Sequence, residues 1–310
     1  MKHWIFICFV ALTANGLQVA LGQAPAVVQE SKIEGVTRVR NVIYGYKSGM
    51  ALTMDVLKPT RPTGLGFVYI LRGGWRSDHS MIEKRLKHFK YFTDRGQTVF
   101  LIIHGSVPKF LVNEVIQDVH RAVRFVRYHA AEYNVDPNRL GVSGMSSGGH
   151  LSLSVGTGLG RPSFSTPSND PVDQVSSQVQ AVACFFPPTD LVNYGSPELL
   201  FVEQEHLKRY RSAFAVDTKT REEQQKVMQQ LSPIYAVSKE TPPILLLHGT
   251  QDTIVPLEQS QRFIARVKEQ GIPAQLIIHQ EGEHGWAETW ESDLNLLADW
   301  FEKYLLGTKK

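Results

Sequence analysis

The chain of 310 residues is long enough to bury one large hydrophobic core, and no Ser/Gly/Pro-rich linker or charged run divides it into halves. With 33 Lys and Arg against 30 Asp and Glu it is nearly neutral, and it lacks the basic stripe of a nucleic-acid-binding protein. It has no His-Glu-x-x-His or Cys-rich spacing typical of a metal site, and we expect neither a metal nor another cofactor.

The first 24 residues have the layout of a secretory signal peptide. Lys2 and His3 precede the apolar run 4–12, and small residues that suit signal cleavage follow at Ala20, Gly22 and Ala24. The strongly apolar part is shorter than the ~20 residues of a membrane-spanning helix, so we expect no stable membrane anchor. The sequence therefore predicts export to the periplasm or the cell exterior, with residues 25–310 forming a single domain.

Removal of this peptide would leave Cys184 as the single cysteine. One thiol cannot form an internal disulfide bond, and Cys184 lies within the apolar run 179–186. We interpret it as a small buried residue of a strand, without a catalytic role.

The mature chain begins with two runs of alternating apolar residues between Thr37 and Leu57. The pair Ser48-Gly49 separates them, and together they predict a β-hairpin. Further apolar runs, typical of buried parallel strands, follow at residues 66–71, 98–103, 139–143, 179–186, 242–247 and 274–278.

Segments with helical spacing of apolar residues alternate with these strands. They predict helices over 82–92, from near Asn113 to before Asp136, and over 149–155, 257–269 and 286–306. The alternation predicts an α/β fold with a mostly parallel central sheet flanked by helices. Residues 187–240 interrupt it, and their polar helical stretches predict a small cap insertion beside the functional site.

The segment Gly144-Met-Ser-Ser-Gly148 predicts a sharp turn from a strand into a helix, with Ser146 at its apex. Such a turn needs residues without bulk two positions before and after the serine, because strand and helix pack closely there. Gly144 and Gly148 meet that requirement. Ser146 is therefore the candidate nucleophile, at the carboxyl end of a strand.

Two further polar residues follow later strands at the same edge of the predicted sheet. Asp252 comes shortly after the strand at 242–247, and His284 shortly after the strand at 274–278. The chain order is nucleophile, acid, base, with His284 as general base and Asp252 orienting its imidazole. Asp190 also follows a strand and is the reserve acid, although an Asp at that point more often begins a helix as its N-cap.

These motifs resemble the α/β-hydrolase superfamily, which shares this chain order. The resemblance rests on residues 140–151, 244–252 and 283–286, and the layout is similar from Thr37 to Leu306. More narrowly, the chain is similar to the esterase/lipase branch that includes feruloyl and acetylxylan esterase-like proteins and the prolyl oligopeptidase catalytic domain. The resemblance implies an α/β-hydrolase fold.

An oxyanion formed at Ser146 needs at least two fixed donors, and the turn itself supplies the N–H of Ser147. By the resemblance, the N–H groups of Gly73 and Gly74 supply the rest, because a glycine-rich loop follows the strand at 66–71. Leu71 and Arg72 stand where that family carries His and Gly, so the usual anchor of the loop is missing.

Two more side chains are candidates for the pocket. Arg72 either pairs with a nearby carboxylate or contacts the substrate, and the second role would mean an acidic or polyhydroxylated ligand. His104 follows the strand at 98–103, and we expect it to line the pocket as a possible substrate contact.

The sequence predicts a serine hydrolase that cleaves a small-molecule or glycan-linked carboxylic ester, such as an acetyl or feruloyl ester, through an acyl-serine intermediate. One alternative is a peptidase of prolyl oligopeptidase type, which the length disfavours because there is no room for a large propeller domain. The other is a binding protein on an inactive hydrolase scaffold, against which the complete set of catalytic residue types argues.

Overall fold

The computed structural model describes residues 29–33, 35–162 and 168–307. The predicted signal peptide, residues 1–24, lies outside this part of the chain. In the described part, nine strands form one sheet in the order β1-β2-β3-β5-β4-β6-β7-β8-β9. The strands are β1 Gln29–Ile33, β2 Val36–Lys47, β3 Met50–Pro59, β4 Gly64–Ile70, β5 Thr98–Ile103, β6 Val135–Met145, β7 Ala181–Phe185, β8 Ile244–Gly249 and β9 Ala274–His279.

The sheet joins an antiparallel edge to a parallel body. Strands β4 to β9 run parallel to one another, while β1, β2 and β3 pair antiparallel and β3 joins the body by antiparallel pairing with β5. The predicted hairpin is formed by β2 and β3, whose connection contains Ser48 and Gly49. Both have positive φ, 48° and 76°, as the two-residue turns that match the twist of a hairpin require.

Helices cover both faces of this sheet. They are α1 His79–Glu83, α2 Lys90–Thr93, α3 Val112–Tyr128, α4 Ser147–Thr157, α5 Arg221–Gln230, α6 Glu258–Glu269 and α7 Trp290–Phe301. Side chains alternate between the faces: Val68 and Ile70 of β4 join the core that includes α3, α4 and α6, while Phe67 and Tyr69 join the core that includes α2 and α7. The predicted α/β-hydrolase class is thereby confirmed.

Two helices differ from their predicted form. The segment predicted as one helix over 82–92 consists of α1, a 3-10 turn at Leu86–Phe89 and α2. Leu86, Phe89 and Phe92 are spaced by three, which suits the three residues per turn of a 3-10 helix, so the apolar pattern survives. The final helix begins at Trp290 instead of 286 and continues into a π-helical turn at Glu302–Leu306.

The described residues between β7 and β8 hold short 3-10 turns and α5 in place of a simple crossover. A complete capping box begins α5, because Thr220 Oγ1 accepts from Glu223 N and the Glu223 carboxylate accepts from Thr220 N. Within the described chain, no helix has the length and apolar character needed to cross a membrane.

Candidate active site

The turn that holds the candidate nucleophile joins β6 to α4. Ser146 adopts φ 53° and ψ −122°, a strained conformation for a residue with a side chain, and its N–H donates to Phe185 O at 2.9 Å. A Cβ on Gly144 would lie 2.4 Å from the backbone of Gly148, and a Cβ on Gly148 would lie 2.5 Å from Ile70 O. The two glycines therefore allow the close strand–helix contact that holds Ser146 at the apex.

Three predicted residues form a continuous hydrogen-bonded chain. His284 Nε2 lies 2.9 Å from Ser146 Oγ, and His284 Nδ1 lies 2.8 Å from Asp252 Oδ2. They come from three separate loops at the carboxyl ends of β6, β8 and β9, which the parallel sheet brings to one edge. In this arrangement Nδ1–H donates to the carboxylate and Nε2 is free to accept the serine hydroxyl proton.

The Asp252 carboxylate is fixed from several sides. Its Oδ1 accepts from the N–H groups of Ile254 and Val255 at 2.9 and 2.8 Å, and its Oδ2 also lies 3.4 Å from His248 Nε2. Burial opposes ionisation of this carboxyl, but hydrogen bonds from His248 and His284 outweigh it and hold its pKa well below the usual range. Asp252 is therefore an anion that faces His284 across the physiological pH range.

Asp190, the reserve acid, lies elsewhere. Its Oδ1 accepts from the N–H groups of Val192 and Asn193, and its Oδ2 lies 3.2 Å from Arg262 Nη1. No helix begins there, so Asp190 stabilises a turn of the insertion rather than capping a helix. The structure brings Asp252, and not Asp190, to His284.

The predicted oxyanion donors border the same pocket as Ser146. Ser147 is the first residue of α4, so its backbone N–H has no acceptor within that helix. Gly73 and Gly74 border the same pocket, and Gly73 N–H points to Ser147 Oγ at 3.3 Å. The Ser147 hydroxyl thus supports the glycine loop, a contact that the motif does not indicate because the motif specifies only the backbone N–H at that position.

His104 differs from expectation. It is 3% exposed and is absent from the described pocket lining, so the prediction that it lines the pocket is wrong. Its ring nitrogens lie 2.6 Å from Gly105 O and 3.2 Å from Leu71 O. Because β5 lies beside β4, the His104 imidazole contacts the backbone at Leu71, where the glycine loop begins. It helps to hold the loop at the position where the similar family carries a His.

Arg72 does not form the ion pair that was the first of its two interpretations. No carboxylate pairs with it among the described residues, and its guanidinium lies 5.6 Å from the centre of the Phe186 ring. Phe186 in turn packs against the imidazole of His284, with ring centres 4.5 Å apart. Burial lowers the pKa of Arg72. The side chain borders the pocket, where a substrate contact is geometrically open.

The pocket over Ser146 has a volume of about 530 Å³. The glycine loop forms one wall and the insertion another, the insertion contributing Pro188, Tyr194, Phe201, Leu207, Arg209, Tyr210, Ser212 and Ala213. Trp75, which no sequence motif singles out, contacts both walls. Its ring is 2% exposed, meets Phe201, Tyr210 and Phe214 edge-on, and its Nε1 donates to His150 Nδ1 at 3.2 Å.

Cys184 is buried and unpaired on β7, as predicted, and burial raises the pKa of its thiol to about 12. Its thiol is inert at neutral pH. Among the described residues, no group of three or more His, Cys, Asp or Glu side chains has the arrangement of a metal site.

The fold and the Ser146–His284–Asp252 geometry define an α/β-hydrolase of the esterase branch. A family model described as BD-FAE matches residues 54–267, and the chain belongs to that family.

The chain is similar to two mycobacterial proteins from Mycobacterium tuberculosis. It is 26% identical over 234 residues to "Esterase LipC", covering 74% of this chain and 55% of the relative. It is 28% identical over 195 residues to "Probable carboxylic ester hydrolase LipM", covering 62% and 42%. The chain therefore spans about half the length of these curated relatives.

Solved structures match over a larger share. A "Truncated form of carbohydrate esterase from gut microbiota" has a TM-score of 0.72 and 26% identity, covering 92% of this chain and all of the other. An esterase from the Planctomycetes species Thermogutta terrifontis has a TM-score of 0.68 and 24% identity, covering 87% of this chain and 94% of the other. At that identity the likeness supports the fold alone.

Proposed function

We propose that the protein is a serine hydrolase that cleaves carboxylic esters through an acyl-Ser146 intermediate. The observation that carries the proposal is the continuous contact from Ser146 Oγ through His284 to Asp252, at 2.9 and 2.8 Å, at the base of an open pocket. Membership of the BD-FAE family and similarity to proteins named as esterases support the reaction class.

Each group has a chemical role. Ser146 Oγ attacks the ester carbonyl carbon while His284 Nε2 takes its proton, and the Asp252 carboxylate stabilises the resulting imidazolium. The N–H groups of Ser147 and Gly74 stabilise the negative oxygen, while Gly73 N–H, which donates to Ser147 Oγ, holds the loop in place. His284 then donates its proton to the departing alcohol as the carbonyl carbon–alcohol oxygen bond breaks. Water, activated by the same imidazole, releases the acid from Ser146.

We further propose that the ester is carbohydrate-linked, with an acetyl or feruloyl acyl group. Similarity to a protein named as a carbohydrate esterase supports a glycan substrate. The mixed pocket lining suits it too, because aromatic walls can stack on sugar or phenolic rings while polar groups bind hydroxyls. Export through the segment 1–24 is likewise a proposal, tested by locating the protein in cell fractions and sequencing the N-terminus of the mature form.

The central test combines a fluorophosphonate probe with an ester panel. We expect stoichiometric labelling of the wild type at Ser146, hydrolysis of short acyl esters, and loss of both in Ser146→Ala with an unchanged melting temperature. Absence of labelling in folded wild type would favour the binding-protein alternative. Cleavage of aminoacyl-proline amides at rates comparable to esters would favour the peptidase.

A further inference from the structure

The charged side chains that line the pocket are all of one sign. Arg72, Arg76 and Arg209 line it, and no Asp or Glu is found among its described lining residues. The nearby anion, Asp252, is 8% exposed and faces His284 and His248, so it does not neutralise the pocket surface. A cleft with unbalanced positive charge attracts anions and concentrates them at its mouth.

None of these three arginines has a carboxylate partner in the described part of the chain. Arg76 Nε–H donates to Val107 O at 3.1 Å, and the Arg209 guanidinium carbon lies 5.1 Å from the centre of the Tyr210 ring. Their exposed guanidinium groups can remain hydrated. By contrast, many other arginines of the protein are paired, for example Arg121 with Asp170 and Asp173.

Arg72 is the informative member of the set. It is half-buried, its Nε is buried without a hydrogen-bond partner, and its guanidinium lies 5.6 Å from the centre of the Phe186 ring with no carboxylate beside it among the described residues. Holding a cation partly out of water without a counter-ion is unfavourable. An anion that enters from the pocket would supply the missing partner, with two guanidinium nitrogens available for a bidentate contact.

We propose that the pocket takes esters that carry a carboxylate, and that Arg72 binds this carboxylate while Arg76 and Arg209 attract it at the mouth. The inference rests on the proposed ester hydrolysis and names its substrate class. The carboxylate can belong to the alcohol part of the ester, as in an acylated uronic acid, or to the acyl part, as in a dicarboxylic acid monoester.

Two matched substrate pairs distinguish these sources. For the alcohol side, 4-acetoxybenzoate is compared with neutral 4-acetoxybenzamide. For the acyl side, the mono-4-nitrophenyl ester of adipic acid is compared with 4-nitrophenyl heptanoate. The measured quantity is the ratio of kcat/KM for the anionic ester to that for the neutral one. Dividing the variant's ratio by the wild-type ratio removes the difference in intrinsic reactivity within each pair.

We expect Arg72→Gln to lower this ratio about tenfold or more in one of the two pairs, since a hydrogen bond to a charged group is lost. The control Arg266→Gln, which removes the same charge from the exposed face of α6, should leave the ratio unchanged. Arg209→Gln should lower it by a smaller factor that disappears at high salt, because exposed charges are screened.

The outcomes separate the two proposals. A ratio that is unaffected in both pairs by Arg72→Gln and Arg209→Gln, with neutral esters still hydrolysed, overturns the inference and leaves ester hydrolysis standing. Wild-type enzyme that hydrolyses none of the four esters contradicts the proposed function, and the inference falls with it. Should Arg72→Gln fail to fold, Arg72→Lys and Arg209→Gln carry the same comparison.

Discussion

The acid of the catalytic chain gives the sharpest prediction. In Asp252→Asn the side-chain oxygen can still accept from Ile254 N and Val255 N at 2.9 and 2.8 Å, so the loop keeps its shape. The amide nitrogen, however, would face His284 Nδ1 and donate to it. Because a neutral imidazole carries one N–H, the proton would then sit on Nε2 and point at Ser146 Oγ.

That tautomer cannot accept the serine proton. In the serine-protease precedent the same exchange lowers kcat about 10⁴-fold, or ~5.5 kcal/mol, and we expect a loss of this order here. The assay is steady-state hydrolysis of 4-nitrophenyl acetate, with melting temperature as the check on folding. The control is Asp190→Asn. The Asp190 carboxylate has no contact with His284, so this variant should retain wild-type kcat to within a fewfold. A loss below tenfold in Asp252→Asn, or an equal loss in Asp190→Asn, would refute the assignment.

Three further perturbations test the loop beside Ser146 and two buried histidines. Ser147→Ala removes the acceptor of Gly73 N–H. A net hydrogen bond contributes about 1 kcal/mol, so kcat/KM should fall roughly fivefold. Unchanged or higher activity would mean that the hydroxyl does not hold the loop. Gly74 has φ 63°, and Gly74→Ala places a Cβ 2.1 Å from Tyr210 Oη. The loop must shift, so kcat should fall by roughly 10² with the fold retained. Adding Tyr210→Ala to this variant should restore part of the lost kcat. Burial lowers the pKa of His120 and of His150 to about 4 from 6.5, so stability should be full above pH ~6.5 and decline as the pH falls towards 4, by about 3 kcal/mol for each residue. Urea unfolding between pH 7.5 and 5 measures the first part of this decline, about 2 kcal/mol for each residue, and a flat free energy would contradict it.

Local sequence signals were sufficient to predict the sheet and the meeting of Ser146, His284 and Asp252. Parallel strands buried on both faces are continuous apolar runs, and their carboxyl ends share one edge, so Ser146, Asp252 and His284 could be brought together from their positions alone. The two glycines around Ser146 added a steric requirement that few other segments meet.

The supports of the site could not be predicted in the same way. His104 and Trp75 act through contacts across neighbouring strands and the insertion, which depend on strand order and on loop paths rather than on local pattern. Arg72 illustrates the limit: its residue type predicts an ion pair, while its placement between the glycine loop and Phe186 leaves it facing the pocket. The one available signal for Trp75 was an aromatic residue directly after two loop glycines.

Trp75 also has a consequence for how such enzymes diverge. Its indole lies at the junction of the glycine loop and the insertion, in edge contact with Phe201, Tyr210 and Phe214. The insertion shapes the pocket, so it is the natural segment to exchange when substrate preference is engineered. A transplanted insertion that lacks partners for this indole would shift the loop that carries Gly73 and Gly74. Chimeras of this fold should therefore exchange the loop and the insertion together. Exchanging the insertion alone to alter selectivity would also lower the catalytic rate, because the loop would move.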